Sequence, residues 1–106
     1  MTDTPRYGHK PLLMRRVAEE GAIAAVGDFA WKSEGGVRYL VLAIPRQLPY
    51  ESDSWMLVVL PVRIGPSEQG KFWRWNGSEA EPTLTPSVHS EGHWHGWVRD
   101  GMLVEA

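Results

Sequence analysis

Two stretches of the chain are apolar at nearly every position. Val37 to Ile44 and Trp55 to Ile64 are both rich in β-branched residues. Runs of this length and composition read as buried strands, and Pro61 implies a sheet edge or bulge near the end of the second. Ahead of them, Ile23, Ala25, Gly27, Phe29 and Trp31 alternate with Asp28 and Lys32 on the other face, which predicts a strand leading into a Ser33-Glu34-Gly35-Gly36 turn. Further upstream the period changes. Pro11 suits a first helical position, and Leu12, Leu13, Met14 and Val17 gather on one side. Arg15 and Arg16 stand four residues before Glu19 and Glu20. This predicts a short helix from Pro11 to Glu20, stopped by Gly21; a competing reading carries it through the alanines to Val26. Met1 to Lys10 is polar and expected to be flexible. Pro45 to Ser54 reads as a loop, and Lys71 to Trp75 as a short strand ending in an Asn76-Gly77 turn. Ser78 to Ser87 is punctuated by proline and should lie extended. The expected fold is one α+β domain over residues 1–106: a mostly antiparallel sheet, rolled or sandwiched, with one short N-terminal helix.

The C-terminal stretch allows a register to be written down. Asp100-Gly101 predicts a tight hairpin between His93–Val98 and Met102–Glu105. Arg99 then opposes Met102, Val98 opposes Leu103, Trp97 opposes Val104 and His95 opposes Ala106. One face carries His93, His95, Trp97, Met102 and Val104, and the other Trp94, Val98, Leu103 and Glu105. Both are partly apolar, and a domain this small has one substantial core to offer. Trp94, Trp97, Met102 and Val104 are therefore the candidate binding surface, for self-association or for a partner protein.

Composition narrows the chemistry. The chain has 106 residues, six Trp and no Cys, with a formal net charge of −2. The absence of cysteine excludes disulfides, thiolate zinc clusters and thiol catalysis. The charge balance gives no general pull toward DNA or an anionic membrane, so Lys71-Phe72-Trp73-Arg74-Trp75 reads as core packing before nucleic-acid stacking. No apolar run is long enough for a membrane helix, and Met1 to Lys10 does not read as a signal peptide. Cytoplasm is the expected compartment, with the host cytoplasm or the virion for a phage-encoded chain.

Three of the four histidines, His89, His93 and His95, fall within seven residues. In an extended strand His93 and His95 share a face, a spacing that would let two imidazoles hold one divalent transition metal such as zinc, with His89 or Glu91 as a further ligand. The alternative is a His-rich polar edge that needs no cofactor. No Gly-x-Ser-x-Gly, phosphate loop or dinucleotide pattern is present. Ser87 with His89 is too generic a pair to mark a site, so no catalytic residue is assigned.

Three blocks, Trp73-Arg74-Trp75-Asn76-Gly77, Pro82-Thr83-Leu84-Thr85-Pro86-Ser87-Val88 and His95-Gly96-Trp97-Val98-Arg99-Asp100-Gly101, give residues 55–104 a family resemblance. They resemble, in order and approximate spacing, a small uncharacterised domain family of bacteriophages, prophages and bacterial accessory operons. The resemblance implies a zinc-binding set, of which His95 alone remains. Leu60-Pro61-Val62-Arg63 stands where that family has a Cys-Pro-x-Cys-like knuckle, and Trp94 where it has its last cysteine. With no catalytic set visible, the expected function is that of a non-enzymatic phage or prophage accessory protein. It would act by protein–protein binding, inhibiting a host defence or regulatory protein or serving in the virion. A metal-binding protein or metal-dependent hydrolase using His89, His93 and His95 is the alternative.

Overall fold

The computed structural model describes residues 11–46, 55–66 and 71–106. The expectations for Met1–Lys10 and for most of the Pro45–Ser54 loop lie outside the described residues. The described residues form two sheets. One has four strands in the order β1 (Leu12–Leu13), β10 (Met102–Glu105), β9 (Trp94–Arg99) and β8 (Val88–Ser90). The other has six, in the order β2 (Arg15–Arg16), β3 (Asp28–Glu34), β4 (Val37–Pro45), β5 (Trp55–Arg63), β6 (Trp73–Trp75) and β7 (Leu84–Thr85). The larger sheet is antiparallel except where β2 joins β3 and β6 joins β5.

The fold is all-β, which corrects the α+β expectation. Pro11 to Glu20 is not a helix; the described residues contain only a single 3-10 turn at Glu20–Ala22. A ten-residue helix is marginal alone, whereas here the segment finds partners on two sheet edges. Leu12 pairs with Leu103, and the Met14 amide donates to Gly101. Arg15 and Val17 then donate to the carbonyls of Gly27, just before β3, and of Phe29 within it. The segment is thus a corner joining both sheets. The strand expected from Ile23 begins instead at Asp28, because the Asp28 carboxylate accepts the amides of Ala24 and Ala25 and folds the preceding residues into a turn around itself.

Elsewhere the pattern is realised closely. Gly35 and Gly36, both at positive φ, join β3 to β4. β6 meets β5 only at Val62 and Arg63, so Pro61 stands where β5 has no neighbour on that side among the described residues. The C-terminal hairpin has the expected register, with Arg99 opposite Met102, Val98 opposite Leu103 and Trp97 opposite Val104. Asp100 and Gly101 both take positive φ at its tip. The two sheets share one core: Phe29, Leu40, Leu42, Ile44, Leu60 and Val62 from the larger pack with Val88, Trp94, Val98 and Leu103 from the smaller. A second cluster, of Ile23, Ala30, Val41 and Ala43, covers the outer face of the larger sheet.

Candidate active site

β7 belongs to one sheet and β8 to the other, and Pro86 and Ser87 make the crossing between them. The crossing is held from several sides. Asn76 clasps the loop that precedes it, its side-chain oxygen accepting the amides of Ser78 and Thr83 and its NH2 donating to the Glu81 carbonyl. Glu79 ties that loop to the larger sheet through Arg16 and Arg38, while its carbonyl accepts the Trp31 indole N–H. Thr83 accepts the Asp100 amide at 2.8 Å, and the Gly101 amide donates to Pro82 at 3.0 Å, so the hairpin tip is fixed to the same loop. Finally the Trp73 indole donates to the Ser87 carbonyl at 3.4 Å.

These restraints place Ser87 beside β9. His89 directly opposes His95, and Ser87 lies two residues before His89 on the same face, making Ser87 and His95 diagonal neighbours. Ser87 Oγ stands 2.8 Å from His95 Nε2. In the tautomer with its proton on Nδ1, His95 accepts the serine hydroxyl proton at Nε2. That is the contact between a nucleophile and its general base. The His89 ring lies against His95 with centroids 4.7 Å apart. Among the described residues no carboxylate is hydrogen-bonded to either imidazole.

Residues 57–106 match the family model of the bacterial ubiquitination-like system serine protease, BubE. The matched stretch contains both Ser87 and His95. No curated protein and no solved structure matches the chain. The family match corrects two expectations. The matched family is described as one of enzymes, where the absence of local motifs points to a non-enzymatic binding protein. The system its description names is bacterial ubiquitination-like, where the expected role is that of a phage or prophage accessory protein, inhibiting a host protein or serving in the virion.

The other sequence-assigned residues are distributed differently. His93 lies in the β8–β9 turn, exposed and outside the strand that carries His95. Among the described residues no group of three or more His, Asp or Glu is placed to hold a metal ion. The zinc set implied by resemblance does not fit either. Leu60 and Trp94 are built into the core, and His95 is engaged with Ser87. Trp94 is 8% exposed and faces inward, so it is core and not surface. Trp97, Met102 and Val104 are half-buried on the opposite face of the hairpin, the face that also carries His95. In Lys71–Trp75, Trp73 and Trp75 pack against the core and spend their indole N–H groups on the carbonyls of Ser87 and Ser78. No helix of the described residues is long and apolar enough to cross a membrane.

Sequence reasoning missed Ser87 with His95 because the pair is not local. The two become neighbours only through the β8–β9 register, across the turn at Glu91–His93. The signal that could have found them is the spacing of Ser87, His89 and His95 once Glu91-Gly92 is read as a turn.

Proposed function

We propose that this chain is a serine hydrolase of a bacterial ubiquitination-like system, with Ser87 as nucleophile and His95 as general base. The observation that carries the reading is the 2.8 Å approach of Ser87 Oγ to His95 Nε2. The serine protease family model matched over the same residues supports it. Ser87 Oγ attacks the carbonyl carbon of a peptide or isopeptide bond while its proton passes to His95 Nε2. The tetrahedral intermediate collapses as His95 returns that proton to the leaving amine, and the acyl group stays on Ser87 as an ester. Water then attacks the ester, giving its proton to His95, and the acid leaves as Ser87 regains its proton. The His89 ring packs against His95 at a tilt, with centroids 4.7 Å and planes 38° apart, and so limits how far the His95 ring can swing. A protease of such a system acts on protein partners, and the substrate class is a protein carrying a modifier or a modifier precursor.

The test is covalent labelling with a small fluorophosphonate, which requires an activated serine and no particular substrate. The wild-type chain should be labelled at Ser87, as mapped by peptide mass, and Ser87→Ala and His95→Ala should each abolish labelling while remaining folded. Unlabelled wild type, or labelling that survives Ser87→Ala, overturns the proposal.

A further inference from the structure

β8 is the last strand of its sheet, and among the described residues no strand pairs with its outer edge. The direction of its backbone groups follows from its neighbours. The Ala106 amide donates to the His95 carbonyl at 3.0 Å, so the backbone groups of His95 point toward β10 and away from β8. The two-residue turn closed by Arg99 and Met102 demands the same phase along β9. His89 and His95 therefore form a non-hydrogen-bonded pair, the narrow kind, in keeping with rings 4.7 Å apart. The ladder between β8 and β9 runs through Val88 with Gly96 and Ser90 with Trp94. Both backbone groups of His89 consequently point outward from the sheet. The Ser87 carbonyl, next on the same edge, is already taken by the Trp73 indole, so the free stretch begins at His89.

We propose that an extended segment of the substrate adds to this edge as a further strand, hydrogen-bonded to the N–H and C=O of His89, and that this pairing delivers its scissile carbonyl to Ser87. The proposal rests on the Ser87–His95 reading and adds how the substrate is held. His89 and Ser87 are two residues apart, roughly 7 Å along a strand, so the substrate residue paired with His89 lies about two positions from the scissile bond. Val88 is 2% exposed and Ser90 reaches Met56 on the core side, so the side chains that flank the edge inward are already packed. Ser87, His89 and His95 share the outer face, over which alternate substrate side chains would pass. Strand addition of this kind reads main chain first, and it selects a flexible, extended polypeptide tail over a folded surface.

His89→Pro deletes the outward N–H without touching the ladder to β9, because proline is tolerated where the missing donor faces away from the sheet. His89→Ala is its control, since both variants lose the imidazole. The best-cleaved member of a tetrapeptidyl-coumarin amide library serves as substrate, and the small fluorophosphonate as a probe that needs no strand pairing. His89→Pro should label as fast as His89→Ala and hydrolyse the peptide with kcat/KM lower by about tenfold, one hydrogen bond's worth. N-methylation of each substrate amide in turn, on the wild-type enzyme, should show a matching loss at one amide and less than about a twofold loss at its immediate neighbours, since strand hydrogen bonding alternates. Equal peptide hydrolysis by the two variants overturns the proposal. If His89→Pro does not fold, the N-methyl series decides, and a flat series overturns it. Failure of wild type to label overturns the Ser87 reading itself, a different result from a labelled enzyme indifferent to the edge.

Discussion

The Trp94 indole lies across the bare backbone of Gly96, two residues along the same strand. A Cβ built on Gly96 would overlap the Trp94 ring and come within 2.7 Å of the Val104 carbonyl oxygen. Gly96 also opposes Val88, the residue that follows Ser87. The absence of a side chain there lets a large core residue close over β9 while β8 and β10 flank it.

Gly96→Ala is therefore expected to be severe. The ring would have to leave its place in the core, and Val104 is backbone that cannot turn aside. Overpacking of this kind costs about 3 kcal/mol or more. Chemical denaturation should show the loss, and fluorophosphonate labelling of Ser87 should fall with it, because β8 is displaced relative to His95.

Trp94 separates size from polarity. Its indole N–H is buried without a partner among the described residues, and such a donor costs about 1–3 kcal/mol in desolvation. Trp94→Phe removes the donor and keeps most of the ring, so stability should change little. Trp94→Ala should cost about 3–5 kcal/mol. A loss on Trp94→Phe as large as that on Trp94→Ala would show that the N–H is satisfied and matters.

How much of this was legible in the sequence depends on how local each determinant is. The Asp100-Gly101 turn and the alternation around it encode the C-terminal register within a dozen residues, and that register is the one observed. The strands β4 and β5 announce themselves by composition in the same way. Leu12 to Val17 does not, because its apolar spacing fits a helix face equally well. What decides the matter is the presence of two unfilled sheet edges, one on nearby β3 and the other on β10 at the far end of the chain. Ser87 and His95 fall between these cases. Each is unremarkable alone, and only the three-residue turn at Glu91–His93 makes them neighbours. Asp28, on the polar side of the expected strand, is 3% exposed, since a turn of its own making and the Arg15 guanidinium enclose it.

Asp28 gives the fold an acid limit. The hydrogen-bonded Arg15 guanidinium holds its carboxyl below the usual carboxylate value, aided by the amides of Ala24 and Ala25 and opposed by burial. A carboxylate whose value is lower in the folded chain binds fewer protons there than when unfolded. Its stabilising contribution is thus fully present above the unfolded value, about 3.9, and is lost as pH falls through the folded one. The Arg15 side chain is 65% exposed, so solvent screens the pair and salt should weaken it. Melting temperatures taken from pH 6 down to about pH 2 should decline, and Asp28→Asn should be less stable at pH 6 with a shallower decline. A wild-type and variant pair that fall in parallel would mean that Asp28 is not the group responsible.

The loop before Ser87 gives a prediction in which stability and activity part company. Asn76→Ala frees the Ser78 and Thr83 amides and the Glu81 carbonyl, all at an exposed site where water replaces the lost bonds in part. The stability cost should be about 1 kcal/mol. Activity should suffer more, because Thr83 opens the segment that carries Ser87 into β8, and a nucleophile displaced by about 1 Å can lose on the order of a hundredfold in rate. Ser87→Ala and His95→Ala provide the contrast. Their contact is solvent-accessible and little should change in stability, within about 0.5 kcal/mol, while His95→Ala should lower hydrolysis by roughly 10²–10⁴-fold as general-base loss does. Hydrolysis by His95→Ala at the wild-type rate would assign the base to another group.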